Sequence, residues 1–307
     1  MTDQLTFATR PSALARWQTQ HVISELKAQW PDLDCKETII TTKGDRVLDK
    51  PLPEIGGKGL FTYELELAIL EERVDAAVHS LKDLPPDDTS GLIVDVFPHR
   101  ADVRDVWICP QGFSLDDISA GSIVGTSSTR RAAQLLAYRP DLKVEPIRGN
   151  VDTRIRKAVE GQYDAIILAA AGVTRLGLDE HITQYLPFDV MLPAPGQGAL
   201  GIQYRAEDTE TLQLLKALDH TITCMAVTAE RAFLAALGGG CSMPVGALAS
   251  VDGDTIQLQG VIAAPDGSRV LRVSASGTDA QSLGETLAQN SLSKGANDLL
   301  TSTAVVK

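Results

Sequence analysis

The stretch that decides the fold is residues 122–169, SIVGTSSTRRAAQLLAYRPDLKVEPIRGNVDTRIRKAVEGQYDAIILA. Three short apolar or β-branched runs in it predict strands: Ser122–Thr126, Lys143–Ile147 and Asp164–Ala169. Between them, Thr129–Tyr138 and Val151–Glu160 have the apolar spacing of helices. Strands and helices that alternate in this way favour a parallel or mixed sheet covered by helices on both faces, so the stretch predicts an α/β fold.

The chain before this stretch repeats the alternation. Strands are predicted at Leu5–Thr9, Thr38–Thr41, Asp75–His79 and Leu92–Phe97. Ser12 is a good N-cap for an amphipathic helix that runs to about Gln29, and a second helix is predicted over Lys58–Glu72. This part therefore reads as a second α/β lobe.

The pattern changes from about Thr221 onward. A helix is predicted over Thr223–Leu237, and three strands joined by Asp-Gly turns follow at Pro244–Ser250, Thr255–Ala263 and Arg269–Ala275. A last helix is expected over Ala280–Ser293. This tail predicts a small α+β domain with a three-stranded antiparallel sheet.

Composition limits the class of protein. The 307 residues suggest two or three domains at about 150 residues each. The net charge of −12 and the aromatic content of 5% disfavour a nucleic-acid partner. No apolar run approaches the roughly 18 residues of a membrane span, and the first residues lack the features of a signal peptide. A cytoplasmic location is expected, or a plastid one if a transit peptide has been removed.

Positive charge is concentrated in residues 126–175, which hold nine Lys or Arg against five Asp or Glu. Such an island predicts either a local anion site or a solvated helix face. A pseudo-repeat favours the first interpretation. Phe7–Ser12 and Val124–Arg130 both run from a strand into hydroxyls and an arginine at a helix start, where backbone N–H groups attract anions. The alternative is that both are simply capped helices.

Five segments, in this order, resemble the hydroxymethylbilane synthase, or porphobilinogen deaminase, family. They are Val78–Pro85 (VHSLKDLP), Gly125–Arg131 (GTSSTRR), Arg148–Arg154 (RGNVDTR), Pro193–Ala199 (PAPGQGA), and Glu230-Arg231 followed by Gly239–Gly246 (GGCSMPVG). Two positions depart from the family pattern. Met243 stands where a β-branched aliphatic residue is usual, and Glu54 stands where bacterial members often have lysine.

The resemblance implies a three-domain architecture. Two lobes similar to those of periplasmic binding proteins would comprise residues 1–98 with 199–216, and residues 99–198. Residues 217–307 would form the C-terminal domain that carries the cofactor cysteine. The chain would cross between the lobes near Phe97–Ala101 and near Gly196–Leu200.

The resemblance also implies an activity. The family's transferases join four porphobilinogen molecules head to tail, with loss of ammonia, onto a covalently bound dipyrromethane primer. They then release linear hydroxymethylbilane for tetrapyrrole biosynthesis, which leads to heme and chlorophyll. This chemistry needs a carboxylate for pyrrole N–H groups and cationic intermediates, cationic donors for many carboxylates, and a tether for the chain.

Single residues fit the first and third needs. Asp83 follows an apolar strand and is the implied catalytic carboxylate; alternatively it only closes a turn. Cys241 follows three glycines, and its thiol is implied to hold the dipyrromethane as a thioether. Cys35, Cys109 and Cys224 are interpreted as ordinary buried thiols, since a lone cysteine usually packs as a small apolar residue.

Arginine suits the second need, because its guanidinium binds carboxylates bidentately. The arginines at family positions that contact substrate or cofactor are Arg10, Arg130, Arg131, Arg148, Arg154 and Arg175. Supporting donors at matching positions are Ser12, Ser80, Lys82, Thr126, Ser128 and Gln197. Asp45 and Lys58 match a mobile loop of the family, whereas Arg139 and Arg156 have no match and are predicted to be surface residues.

The remaining expectations concern partners. Porphobilinogen is the implied substrate, the family is usually monomeric, and the scattered histidines and cysteines predict no metal site. The rival hypothesis is a non-catalytic, two-lobed protein that binds a small anion. It accounts for the lobes and helix starts but leaves the Gly-Gly-Cys241 segment and the C-terminal domain unexplained.

Overall fold

The computed structural model describes residues 3–46, 60–85, 89–239 and 243–301. Two compact units make up the chain: Met1–Ala101 with Ala199–Cys224, and Asp102–Gly198 with Met225–Lys307. In the part of the chain that the structure describes, no helix combines the length and apolar character that a membrane span needs.

The strands within the described ranges are β1 Gln4–Thr9, β2 Asp34–Ile39, β3 Ala76–Ser80, β4 Leu92–Val96, β5 Asp105–Ile108, β6 Ile123–Gly125, β7 Lys143–Glu145, β8 Ala165–Ala169, β9 Gln184–Tyr185, β10 Leu200–Arg205, β11 Val245–Asp252, β12 Thr255–Ala263 and β13 Val270–Gly277. The α-helices there are α1 Ala13–Gln29, α2 Lys43–Arg46, α3 Tyr63–Leu70, α4 Thr129–Tyr138, α5 Val151–Val159, α6 Ala170–Arg175, α7 Thr209–Leu215, α8 Thr221–Ala236, α9 Ala280–Ser293 and α10 Ala296–Thr301.

The first unit contains a five-stranded mixed sheet in the order β2-β1-β3-β10-β4. β1 is parallel to β2 and β3, whereas β10 is antiparallel to β3 and β4. Phe7 and Ile202 from the sheet and Leu26 from α1 are fully buried in one core. The parallel strands β1 and β3 therefore end at the same edge, as in open α/β sheets that bind ligands there.

The second unit contains a similar sheet in the order β7-β6-β8-β5-β9. β6 is parallel to β7 and β8, and β5 is antiparallel to β8. Successive residues of β5 enter different cores: Trp107 packs in one, and Val106 and Ile108 pack in another. Apolar side chains on both faces are typical of a sheet covered by helices on both sides.

The C-terminal part of the second unit forms the antiparallel sheet β11-β12-β13. Phe233 of α8 and Leu283 of α9 pack with Leu258 of β12 in its core. Gly260 permits this packing, because a Cβ there would lie 2.6 Å from Cζ of Phe233. The predicted α/β fold class, with two mixed sheets and a three-stranded antiparallel sheet, is confirmed.

Two predicted elements need correction. The strand expected at Thr38–Thr41 lies earlier, as β2, because β2 pairs with β1 from Gln4 opposite Asp34 to Thr9 opposite Ile39. The helix expected up to Glu72 ends at Leu70, and Glu72 takes a left-handed φ of 57°. Residues 58 and 59 of that prediction lie outside the described residues.

Candidate active site

The first edge is the set of residues at and just after the ends of β1 and β3, namely Thr9–Ser12 and Ser80–Asp83. Ser12 caps α1, and its Oγ accepts a hydrogen bond from the backbone N of Ala15 at 3.3 Å. Oγ of Ser80, at the end of β3, accepts one from Nε2 of Gln18 at 2.7 Å. The sheet topology thus brings the sequence-predicted residues Arg10, Ser12, Ser80, Lys82 and Asp83 to this edge.

Asp83 lies on a single 3-10 turn, Leu81–Asp83. The backbone N of Leu81 donates to O of Ala199 at 3.1 Å, and that of Leu84 donates to O of Leu81. Leu81 and Leu84 are buried, Lys82 is half-buried and Asp83 is exposed. Two buried leucines therefore anchor a turn that presents its carboxylate to solvent.

Arg10 binds a carboxylate of the protein itself. Its Nη2 lies 2.5 Å from Oδ1 of Asp45, and its guanidinium carbon lies 4.3 Å from the centre of the Phe61 ring. Oδ2 of Asp45 also accepts from N and Oγ1 of Thr42. Burial alone would raise the pKa of Asp45. The hydrogen bonds from Arg10 and Thr42 together outweigh this effect, so the pKa lies below its ordinary value.

His79 lies beneath the first edge and is buried in β3. Its Nε2 is 3.1 Å from Oε1 of Gln203 in β10. Burial lowers the pKa of His79 from 6.5 to about 4, against the opposing effect of the Gln203 hydrogen bond. The ring is therefore neutral at physiological pH and has a packing role.

The second edge is the set of residues that follow β6, β7 and β8 or precede β5. The sequence-predicted residues at this edge are Thr126, Ser128, Arg130, Arg131, Arg148, Arg154 and Arg175. Ser128 caps α4 and accepts from the backbone N of Arg131 at 3.4 Å, while Oγ1 of the buried Thr126 accepts from N of Ser128. The helix begins here because backbone N–H groups at its start, which have no partner within the helix, donate to these hydroxyls.

A buried carboxylate holds the two adjacent arginines. Asp105, the first residue of β5, has no exposed surface, and its Oδ2 lies 2.7 Å from Nη1 of Arg130. Its Oδ1 accepts from Nε and Nη2 of Arg131 at 3.0 and 2.7 Å and from Nε2 of Gln197 at 3.0 Å. The structure thus joins two predicted cationic ligands and one predicted supporting donor through a residue that the sequence interpretation missed.

Some guanidinium nitrogens at the second edge lack an acceptor. Nε of Arg130 and Nη1 of Arg148 are buried without a hydrogen-bond partner among the described residues. Burial lowers the pKa of Arg130, and it lowers that of Arg175 to about 10. A guanidinium has only N–H donors and no acceptor, so the buried Nε of Arg130 and Nη1 of Arg148 are donors that an added anion would satisfy.

Backbone acceptors orient two further arginines of this edge. Nε of Arg154 donates to O of Gly149 at 2.7 Å, and Nη2 of Arg175 donates to O of Gly198 at 2.9 Å. Ser127 links the loops after β6 and β7, since its Oγ donates to O of Ile147 and accepts from N of the same residue.

A second missed residue, Glu230 of α8, connects the arginine network to the C-terminal sheet. One of its carboxylate oxygens accepts from N of Gly196 at 2.7 Å, and the other from N of Ala249 in β11 at 2.8 Å. Gln197, which touches Asp105, directly follows Gly196. The helix before Cys241 and the strand after it are therefore tied to the turn that carries Gln197.

Two predicted site residues, Lys58 and Cys241, lie outside the described residues, as does Glu54. The described residues contain no group of three or more His, Cys, Asp or Glu side chains that could hold a metal ion. Arg139 lies at the surface but is partly covered. Its side chain is only 17% exposed and donates to the carbonyl oxygens of Leu115, Asp116 and Ile118, which ties the end of α4 to that segment.

Comparison with known proteins gives consistent matches. The family model "Porphobilinogen deaminase, dipyromethane cofactor binding domain" matches residues 5–213, and "Porphobilinogen deaminase, C-terminal domain" matches residues 224–293. A porphobilinogen deaminase of Brevibacillus brevis is 48% identical over 293 residues, with 95% of each chain covered. One of Roseiflexus castenholzii is 51% identical over 301 residues, covering 98% of this chain and 99% of the relative. Among solved structures, the methionine binding protein MetQ aligns with a TM-score of 0.44 and 12% identity, over 73% of this chain and 91% of its own.

Proposed function

The chain belongs to the porphobilinogen deaminase family, and from this membership we propose that Asp83, the arginines of the second edge and Cys241 carry out its reaction. The protein is a transferase of tetrapyrrole biosynthesis that joins porphobilinogen units onto a dipyrromethane cofactor. The roles of individual residues are the subject of the proposal.

The observation that carries the proposal is a pair of buried guanidinium nitrogens, on Arg130 and Arg148, that find no acceptor within the described ranges. A buried donor without a partner is costly, and a carboxylate satisfies it. Porphobilinogen and the dipyrromethane each carry acetate and propionate groups, so these residues fit them. When bound, the dipyrromethane supplies the pyrrole carbon to which the next unit is joined. Arg131, Arg154, Arg175, Thr126, Ser128 and Gln197 orient or supplement these donors.

Asp83 is proposed to act on the substrate. Its exposed carboxylate can accept a hydrogen bond from the pyrrole N–H group. It can also offset the positive charge that develops on the ring as ammonia leaves. It can also take up the proton that the new ring loses when the carbon–carbon bond has formed. Because the turn is anchored by buried leucines, the carboxylate is held in place before the substrate binds.

Arg10 is proposed to exchange one carboxylate for another. In the structure it binds Asp45, and a substrate carboxylate has the same shape and charge. Ser12, Ser80 and Lys82 lie at the same edge and supply further donors, and Lys58 would add a positive charge to the substrate site.

The proposal includes the three-domain division at residues 1–98 with 199–216, 99–198 and 217–307, which the three separate sheets support.

A monomer in the cytoplasm is also proposed. The monomer rests on the family resemblance, and sedimentation of the purified chain tests it. A cytoplasmic location is supported by the need for a free thiol at Cys241, since reducing compartments keep thiols available.

The tether is tested by the intact mass of the purified protein. Wild type is expected to be heavier than its sequence by two pyrrole units, and Cys241→Ser is expected to lack this increment. Cys35→Ser, which removes a half-buried free thiol of β2, is the matched control and should keep it. A Cys241→Ser protein with the wild-type increment would place the tether elsewhere. A wild-type chain without any increment would favour a non-catalytic anion-binding protein.

A further inference from the structure

Asp105 is the centre of the polar network at the second edge. Its two oxygens accept at least four hydrogen bonds, from Arg130, Arg131 and the Gln197 amide, all at 2.7 to 3.0 Å. A carboxylate has about four lone-pair sites, so these donors fill it. Asp105 has no exposed surface, and the side chains of Arg130 and Arg131 are 5% and 8% exposed. The carboxylate therefore contacts the protein rather than solvent and is not placed to touch a ligand itself.

The two arginines use their donors differently. Nε and Nη2 of Arg131 bind Asp105, and its Nη1 donates to O of Ile167. Nη1 of Arg130 donates to Asp105 and to O of Leu192, but its Nε has no acceptor in the part of the chain that the structure describes. One carboxylate also neutralises only one of the two guanidinium charges. Asp105 thus fixes both side chains and leaves an excess positive charge with a donor available on Arg130.

We propose that Asp105 is a positioning residue that holds Arg130, Arg131 and Gln197 in the geometry that receives the carboxylates of the dipyrromethane. This inference rests on the proposed function of these arginines. Arginine has many rotamers, and ordering them only when a ligand binds weakens binding. The buried carboxylate orders them in advance. Gln197 extends the same geometry to the Gly196 turn that Glu230 holds.

The test compares three variants with wild type in the rate at which each protein acquires the dipyrromethane, a process called loading below. Asp105→Asn keeps the size of the side chain but loses the charge, and Asp105→Glu keeps the charge but displaces it. Glu66→Gln is the matched control, because Glu66 is also a buried carboxylate, and its hydrogen-bond donors among the described residues are the uncharged Gln203 and Thr89. Each apo-protein is mixed with porphobilinogen, and the gain of two pyrrole units is followed by intact mass. The fraction folded is measured in parallel by circular dichroism.

Loading per folded molecule should fall at least about tenfold in Asp105→Asn, because displacement of binding groups by about 1 Å can cost about 100-fold. Asp105→Glu should load at an intermediate rate, and Glu66→Gln at the wild-type rate. A residue that only stabilises the fold would change the fraction folded but not the rate per folded molecule. Wild-type loading by folded Asp105→Asn would therefore overturn the inference. If Asp105→Asn does not fold, normal loading by Asp105→Glu overturns it and slowed loading supports it. A wild-type chain that never gains the increment would overturn the proposed function, and this inference with it.

Discussion

The two edges are built on the same plan but treat their charges in opposite ways. In each sheet a parallel trio of strands lies beside an inserted antiparallel strand, and a serine caps the helix after the central strand of the trio. At the first edge Asp83 is exposed, and the Arg10 side chain is 23% exposed in its pair with Asp45. At the second edge Asp105 is wholly buried with its two arginines.

This difference separates function from stability. At the first edge the Asp83 charge is exposed to solvent before the substrate binds, and the Arg10 charge is only partly buried. Changing either should therefore affect the reaction more than the stability of the fold. A charge at the second edge is part of the interior, where removal of one partner leaves the other without compensation. Four changes test this separation, and they are ordered here by the free energy expected.

Arg131→Leu should lower the free energy of unfolding by about 3 to 5 kcal/mol. Asp105 keeps Arg130 as its counter-ion, but the change leaves Oδ1 of Asp105 without the two Arg131 donors and the buried carbonyl of Ile167 without one, at about 1 to 3 kcal/mol for each unsatisfied group. Arg131→Leu should also abolish loading of the dipyrromethane. Denaturant unfolding measures the first effect and intact mass the second. Arg156→Leu is the control: its side chain is 67% exposed, and it should change stability by less than about 0.5 kcal/mol. Equal stability of the two variants would show that the buried Arg131 contributes no more to the fold than an exposed arginine.

His79 makes the layer beneath the first edge sensitive to acid. Its pKa is about 4 in the folded protein and 6.5 in the unfolded reference, so the unfolded chain binds more protons between these values. The contribution of the neutral His79 ring to the free energy of unfolding is fully present above pH 6.5. It decreases by about 3 kcal/mol as the pH falls to 4. To measure this loss, the free energies of unfolding of wild type and His79→Gln are compared at several pH values between 4 and 6.5. A difference that does not change with pH would contradict burial of the ring.

Asp83→Asn should lower turnover about 100-fold, which corresponds to about 2.7 kcal/mol in activation free energy. The free energy of unfolding should stay within about 0.5 kcal/mol of wild type, because the side chain is exposed. Asp83→Glu should retain more activity, since it keeps the charge. Asp32→Asn, at an exposed turn of the same unit, is the control. If Asp83→Asn holoenzyme has wild-type turnover, Asp83 is not catalytic and only closes a turn.

Asp45→Asn should have the smallest effect, on the order of 1 kcal/mol, because the Arg10–Asp45 pair is only partly buried, with side chains 23% and 11% exposed. The lowered pKa of Asp45 means that this contribution is present above the ordinary carboxyl pKa and is lost as the pH falls through the lowered value. Release of Arg10 should lower the KM for porphobilinogen by up to about fivefold. Steady-state kinetics measure this change. A raised KM would show that Asp45 assists binding rather than competing with the substrate.

Local patterns predicted much of this molecule. The helix after Ser128 was predicted over Thr129–Tyr138 and is observed there, because its cap and its apolar spacing are encoded within a few residues. β2 was misplaced because the β-branched run Thr38–Thr41 is the stronger local signal. Its position is set instead by pairing with β1.

Asp105 could not be identified as the centre of the second edge from its neighbours in sequence. Its partners are 25, 26 and 92 residues away, and Asp102 is an equally acidic residue nearby. One signal was available: Asp105 immediately precedes the apolar run Val106-Trp107-Ile108, which is typical of a buried strand. An acidic residue at the start of such a strand requires a cationic partner.

The insertion of β10 into the first sheet has a consequence for synthesis of the chain. β4 ends at Val96, and its one partner among the described strands is β10, which begins at Leu200. At about 5 to 20 residues per second, a ribosome needs about 5 to 20 s to make the intervening segment. All strands of the second sheet lie within that segment. The nascent protein therefore contains every described strand of its second sheet while its first still lacks β10, although the first sheet begins earlier in the chain.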